Sequence, residues 1–212
     1  MRGKQVKNNT KISFHITKRG IDIIGACLGI LLLMPLLLLI AFLVKLEYPE
    51  ENFYFIQERV GKNGEVFYLY KFRSMVPQAE TMLEALNGEN EILGAMFKIK
   101  NDPRITNIGK FIRKTSLDEL PQLFNVLKGN MSLVGPRPPL TQEVQKYTLY
   151  DRQRLSVTPG CTGLWQVSGR NKLDFYEMVE LDLRYIATQS IKNDTIILFK
   201  TIKVLFLMEG AY

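Results

Sequence analysis

The residues best suited to chemistry lie in Ser116-Leu117-Asp118-Glu119-Leu120-Pro121. Proline is at home in a first helical turn, so Asp118 and Glu119 are placed near a helix N-terminus, where the macrodipole favours negative charge. Two readings share this pattern. In one, Ser116 is an N-cap and Glu119 reaches back to complete a capping box. In the other, an ionised Asp118 acts as nucleophile or metal ligand, and Glu119 beside it helps to hold a hard divalent cation such as Mg2+.

Arginines recur in short motifs around this pair. They are Arg73 in Lys71-Phe72-Arg73-Ser74-Met75, Arg104 in Asp102-Pro103-Arg104-Ile105-Thr106, Arg113 just ahead of the dyad, Arg137 in Gly135-Pro136-Arg137-Pro138 and Arg170 in Ser168-Gly169-Arg170-Asn171. On a rigid turn an arginine is an aimed, planar, bidentate donor that suits phosphate oxygens. Each one singly also reads as a surface ion pair. Together with the acidic dyad and an apolar segment described below, they point to a diphosphate substrate handled at a membrane surface. The only histidine, His15, lies in a basic tail, which argues against Ser-His-Asp or Cys-His catalysis and against a multi-His metal site. Cys27 and Cys161 are too few for a disulfide framework and indicate a reducing compartment. Cys161 and Trp165 read as packing residues.

The 212 residues carry a net charge of +7, but unevenly. Residues 1–22 hold six Lys/Arg (Arg2, Lys4, Lys7, Lys11, Lys18, Arg19) against Asp22; the rest holds 22 basic and 20 acidic side chains. A nearly neutral body argues against nucleic-acid binding, whereas a basic arm beside an apolar run fits anionic lipid headgroups. That run, Ile23–Val44, has no charge. As one helix it would be about 33 Å long, enough to span a bilayer core. Pro35 in its middle is expected to kink or break it. A cleaved signal peptide, a spanning anchor and a helix-break-helix hairpin entering and leaving one leaflet are the alternatives. Retention of the basic arm in the cytoplasm, combined with a cytoplasmic substrate, favours the re-entrant hairpin.

The elements that must position the chemistry are these. Asn52–Val60 and Glu65–Met75, separated by Gly61-Lys62-Asn63-Gly64, read as a β-hairpin. Residues 77–86 look helical and 87–95 irregular. Thr106–Gly109 leads into a short helix through Ile112. Leu120, Leu123, Phe124 and Leu127 form an apolar face ended by Gly129. Helices are expected over 139–155 and over 174–188, the latter with Met178, Leu181, Leu183 and Ile186 inward. The 196–208 helix reads equally as core or as interfacial. The expected fold is α+β, a mostly helical membrane-associated domain with a re-entrant hairpin, a small β-hairpin and amphipathic interfacial helices. Its divisions are a basic tail over 1–20, a membrane helix over 21–46 and a catalytic domain over 47–212.

The five motifs 71–75, 102–106, 116–129, 131–138 and 159–171, in this order, resemble the bacterial sugar transferase family of monotopic polyprenyl-phosphate phosphoglycosyl transferases. The likeness runs from about Lys18 to Tyr212, and the chain resembles the minimal catalytic form. Departures are Asn130, Cys161 and Gln189, none in the dyad. The resemblance implies a ping-pong transfer. The carboxylate at Asp118 attacks the sugar-linked phosphate of a UDP-sugar, UMP leaves, and polyprenyl (undecaprenyl) phosphate takes the phospho-sugar from the Asp. It further implies that Asp118 and Glu119 are catalytic and bind Mg2+. Lys71, Arg73, Arg104, Arg113, Arg137 and Arg170 are expected to bind phosphate, and Pro35 to mark the membrane break. The expected place is the cytoplasmic face of the bacterial inner membrane, in contact with anionic lipids, with a homodimer compatible and the product priming exopolysaccharide, capsule or glycan assembly. A non-catalytic membrane-surface adaptor is the alternative; it accounts for the basic arm but not for the dyad among arginines.

Overall fold

A computed structural model describes residues 11–82, 86, 99, 102–170 and 173–207. Residues 1–10 of the expected basic tail, residues 83–85 of the expected 77–86 helix, and the 87–95 stretch lie outside these residues. The described part of 77–82 is a run of turns rather than a regular helix.

The Leu/Ile-rich segment forms one helix, α1 (Ile12–Glu47), long and apolar enough to cross a membrane. The expected break at Pro35 is not formed; helix runs on both sides of it. A proline in a helix interior costs one backbone hydrogen bond and a clash, about 3 kcal/mol. Here that cost is offset by packing. Ala26, Ile30, Leu37, Ile40 and Val44 form one buried stripe on both sides of Pro35, and a buried side chain of this kind contributes roughly 1.5–3 kcal/mol. Gly25 lets the stripe close in, because a Cβ there would lie 2.6 Å from Leu133 Cδ1. The opposite face exposes Ile24, Leu28, Leu31, Leu32, Leu38, Leu39 and Phe42.

The first turns of α1 carry two of the tail's cations, and both have internal partners. Lys18 Nζ donates to the Val134 carbonyl at 3.0 Å and pairs with Asp194 Oδ2 at 2.5 Å. Arg19 donates to the Val126 and Leu127 carbonyls at 2.6 and 2.8 Å, closing the C-terminus of a later helix.

The aromatic runs pair as expected, β1 (Tyr54–Val60) antiparallel to β2 (Val66–Phe72), in register from Tyr54 opposite Phe72 to Val60 opposite Val66. The inward residues Phe67 and Leu69 join Ala26, Val126 and Met131, and Phe72 joins Leu37, Ile40, Val44 and Ile112. One strand therefore touches both halves of α1. Helix α2 (Asn107–Lys114) is capped by Thr106, whose Oγ1 accepts from Gly109 N at 2.9 Å. A 3-10 turn, Leu117–Glu119, leads into α3 (Gln122–Lys128), which Gly129 ends at φ +90°. The expected apolar face of α3 is shifted: Val126 and Asn125 are fully buried, while Phe124 is exposed. Asn125 sets the rotation, because its Nδ2 donates to Tyr68 O at 2.7 Å and its Oδ1 accepts from Tyr70 N at 3.0 Å along β2.

A second sheet was not foreseen. β3 (Ser132–Val134) lies parallel to β4 (Gly160–Thr162). The crossover between them holds α4 (Thr141–Gln145) and a 3-10 turn at Asp151–Ser156 in place of one long helix. The interruption has a local cause: Asp151 Oδ2 accepts from Thr148 N at 2.9 Å and from Thr148 Oγ1 at 2.7 Å, which diverts the backbone from helical pairing. α5 (Phe175–Ala187) opens on an Asp174–Glu177 capping box and buries Met178, Leu183 and Ile186. α6 (Ile191–Leu207) places Ile197 in the core, as one expectation has it, and leaves Ile196, Phe199, Ile202 and Leu205 facing outward. The result is a mixed domain of helices and two small sheets.

Candidate active site

The dyad sits on the 3-10 turn between α2 and α3, and the turn is not closed by a capping box. Ser116 caps nothing and has left-handed backbone (φ 57°, ψ 18°). Glu119 does not reach back; its Oε1 accepts from Lys71 Nζ of β2 at 3.0 Å. Asp118 is 7% exposed, whereas the Glu119 side chain keeps 42% of its surface in solvent. Burial raises the Asp118 carboxyl to about 6, the neighbouring Glu119 pushes the same way, and Lys71 and Arg113 oppose both. For Glu119, burial also disfavours the charge, but Lys71, Arg170 and Arg137 together outweigh it and hold the carboxyl below its ordinary value. The two adjacent carboxylates are thus driven apart, one kept high in energy and the other firmly ionised.

The surrounding cations come from four elements. Lys71 is on β2 and Arg113 is in the last turn of α2. The Arg113 side chain makes no hydrogen bond among the described residues, although it bears electrostatically on Asp118. Arg170 Nη2 donates to Ser116 Oγ at 2.8 Å. Arg137 follows β3, and its Nη1 lies 3.0 Å from Glu143 Oε2. Burial opposes the Arg137 charge, and Glu143 more than compensates. The two remaining arginines point elsewhere. Arg73 pairs with Glu51 at 3.0 Å and donates to Asn52 O at 2.8 Å. Arg104 makes a buried two-pronged contact with Asp102 at 2.9 and 2.6 Å.

Four further charged residues, absent from the sequence reading, brace the Gly135–Pro138 turn. Arg59 donates to the Pro138 carbonyl at 2.9 Å, and burial together with the Arg137 charge disfavours its own. Arg154 donates to the Arg137 carbonyl at 3.3 Å, to Tyr147 Oη at 2.8 Å and to Asp182. Glu143 holds the Arg137 guanidinium and accepts from Leu140 N at 2.9 Å. Arg154 and Asp182 are wholly buried. A signal was present for Asp182, a lone carboxylate within the inward stripe of α5; none marked Arg59. The turn also needs glycine opposite it, since a Cβ at Gly160 would lie 2.0 Å from Gly135 N.

Among the described residues no group of three or more His, Cys, Asp or Glu could hold a metal. Mg2+ asks for less, one or two carboxylates completed by substrate phosphates and water. Asp118 and Glu119 fit that demand: no side chain bonds the Asp118 carboxyl, and Glu119 has only Oε1 engaged among the described residues.

A carboxylate raised by burial and ringed by cations from separate elements can receive an anionic ligand. Residues 13–208 match the bacterial sugar transferase family, and the chain belongs to it. It is 51% identical over 203 residues to the galactosyl transferase CpsE of Streptococcus agalactiae serotype III, covering 95% of this chain and 44% of that protein. It is 45% identical over 213 residues to the undecaprenyl-phosphate galactose phosphotransferase of Salmonella typhimurium, covering 98% of this chain and 44% of that protein. It is 41% identical over 201 residues to the exopolysaccharide production protein ExoY of Rhizobium meliloti, covering 93% of this chain and 88% of that protein. The chain thus spans a little under half of the first two relatives and most of the third.

Proposed function

We propose that this chain transfers a sugar 1-phosphate from a UDP-sugar to polyprenyl (undecaprenyl) phosphate, with release of UMP. The observation that carries this reading is Asp118 itself: a buried carboxylate without a side-chain hydrogen bond among the described residues, raised in energy, beside Lys71, Arg113 and the Arg170–Ser116 contact. Such a group is an activated nucleophile, and its cations screen the repulsion between a carboxylate and a phosphoryl centre. In the first half-reaction Asp118 forms an O–P bond to the sugar-bearing phosphorus, and the bond to the UMP oxygen breaks. In the second, an oxygen of the lipid phosphate attacks the same phosphorus and the Asp118 carboxylate is freed.

Lys71 keeps Glu119 ionised, Arg113 and Arg170 receive phosphate oxygens, and Arg137, its guanidinium held by Glu143, contributes its charge. Asp118 and Glu119 would hold Mg2+, which supplies Lewis-acid charge neutralisation at the diphosphate. Arg73 and Arg104 serve as supports rather than phosphate contacts, since carboxylates already occupy them.

Both halves of α1 pack on the same body, through β2. A helix held in this way fits a position within one leaflet, its outward apolar face in lipid and both ends on the cytoplasmic side of the bacterial inner membrane. The outward stripe of α6 and the basic segment before α1 would meet the acyl boundary and the anionic headgroups. Such a site meets the lipid phosphate in the plane of the membrane. The names of relatives from Salmonella typhimurium and Aeromonas hydrophila, an undecaprenyl-phosphate galactose phosphotransferase and an N-acetylgalactosaminephosphotransferase, support the acceptor and the transferred group. The ExoY name supports a role in exopolysaccharide production.

The test is UMP release by the membrane-bound protein with undecaprenyl phosphate, Mg2+ and a panel of UDP-glucose, UDP-galactose and their N-acetylated amino counterparts. One donor is expected to turn over and to fail with Asp118→Asn. Undiminished UMP release by that variant refutes the nucleophile.

A further inference from the structure

Among the described residues, four residues other than glycine have positive φ: Asn63, Gln78, Ser116 and Arg170. The last two are 54 positions apart and bonded to each other, Arg170 Nη2 donating to Ser116 Oγ at 2.8 Å. Both are in the left-handed region, at φ 57° and φ 48°, where a side chain other than Gly, Asn or Asp is uncommon. Ser116 is the joint between α2 and the dyad turn: its N–H donates to Arg113 O at 3.1 Å and its carbonyl accepts from Glu119 N at 3.3 Å. Glycine would make that joint without strain. The ordinary local use of a serine at such a position, capping the following turn, is not made. The hydroxyl's partner is the arginine whose charge helps keep Glu119 ionised.

We infer that Ser116 is a positioning residue for the transfer: its hydroxyl holds the Arg170 guanidinium beside the dyad, ready for a phosphate of the nucleotide-sugar, and the strained serine is kept for that hydroxyl. This rests on the phosphotransfer reading above. Arg170 without the contact is a flexible side chain on a left-handed residue, and its guanidinium must be ordered at the moment of binding. Ser116 supplies that order in advance, which lowers the entropic loss on binding.

The experiment compares Ser116→Gly, which removes the hydroxyl and the strain together, with wild type, with Arg170→Ala and with the double variant. UMP release is measured against UDP-sugar concentration, with the thermal midpoint of each protein. Ser116→Gly is expected to raise KM for the UDP-sugar about tenfold, the scale of a lost hydrogen bond to a charged group. Its thermal midpoint should equal or exceed that of wild type. In the Arg170→Ala background the same change should move KM by less than about twofold, because the contact is already gone. Ser116→Asn, which tolerates the left-handed backbone and carries an acceptor, should recover most of the loss. A purely structural serine would reduce the active fraction, and so kcat, with KM unchanged. That result, or equal losses in the two backgrounds, or a Ser116→Gly enzyme indistinguishable from wild type, overturns the inference. When the wild type is active and Asp118→Asn is dead, these outcomes bear on Ser116 alone; a wild type that turns over no UDP-sugar sinks both readings.

Discussion

The charges beneath the Gly135–Pro138 turn and those around Asp118 use the same side-chain types to opposite ends. Under the turn the set is closed in charge: Arg154 has Asp182, Arg137 has Glu143, and Arg59 has the Pro138 carbonyl, with Arg154 Nε and Asp182 Oδ1 left without a hydrogen bond among the described residues. Around the dyad it is open. Lys71 has Glu119 and Arg170 has the neutral Ser116 hydroxyl, but among the described residues neither the Arg113 guanidinium nor the Asp118 carboxyl has a side-chain partner. Buried ion pairs contribute little net stability but are costly to break. A closed set therefore reads as a brace, and an open one as a place where a ligand completes the balance. Arg137 belongs to both, with its carbonyl braced from below and its charge felt by Glu119.

The largest expected effect breaks the open set at its centre. Asp118→Asn should lower transfer by at least about a thousandfold yet make the protein more stable. The wild-type carboxyl ionises near 3.9 in an unfolded chain and at about 6 when folded. The folded state therefore holds the proton more tightly, and stability declines as pH rises between those values and is flat above them. In metal-free buffer above pH 6 the variant should be the more stable by on the order of 1–3 kcal/mol, with the gap closing toward pH 4. Thermal melts across that range check it; a variant that is less stable at pH 7 contradicts the raised carboxyl.

Asp182→Ala attacks the closed set. It leaves Arg154 buried and uncompensated, and should destabilise by about 3–5 kcal/mol in denaturant titrations. A loss below 1 kcal/mol would show that the brace is dispensable. The sharper comparison pairs two arginines. Arg104→Ala strands Asp102 in a buried site and should cost stability on the same scale as Asp182→Ala. Arg113→Ala should reduce transfer by about a hundredfold while shifting stability by under about 0.5 kcal/mol. Kinetics and melts on both variants decide it, and equal profiles would erase the distinction between brace and site. The smallest effect is expected on α1 at Leu38, which is exposed beside the buried Leu37. Leu37→Ala should destabilise the detergent-solubilised protein by about 2–4 kcal/mol, and Leu38→Ala by less than about 0.5 kcal/mol.

Local chemistry made part of this molecule readable in advance. The β-hairpin announced itself as two aromatic runs around Gly61–Gly64, and α5 as an Asp174–Glu177 cap ahead of a helical apolar stripe. The dyad and the turn arginines stood out by residue type, and Lys71, Arg113, Arg137 and Arg170 do converge on Asp118 and Glu119. What stayed hidden depends on partners distant in the chain. β3 and β4 are three residues each, too short to show a period, and the crossover separates them. The continuity of α1 through Pro35 follows from a stripe that packs on β2, α2 and α3, which a local rule about proline does not contain. Arg73 and Arg104 resemble the other turn arginines in sequence, and no local pattern announces that Glu51 and Asp102 reach them.

The central claim is that the Asp118 carboxylate forms a bond to the phosphorus of the substrate. It is tested most directly by incubating the protein with its UDP-sugar donor and Mg2+ in the absence of polyprenyl phosphate, then quenching and sequencing the peptides by mass spectrometry. A phospho-sugar adduct on Asp118, absent from Asp118→Asn and discharged when polyprenyl phosphate is added, is the expected result. Stoichiometric UMP release with an unmodified Asp118 peptide, or an adduct on another residue, would contradict it.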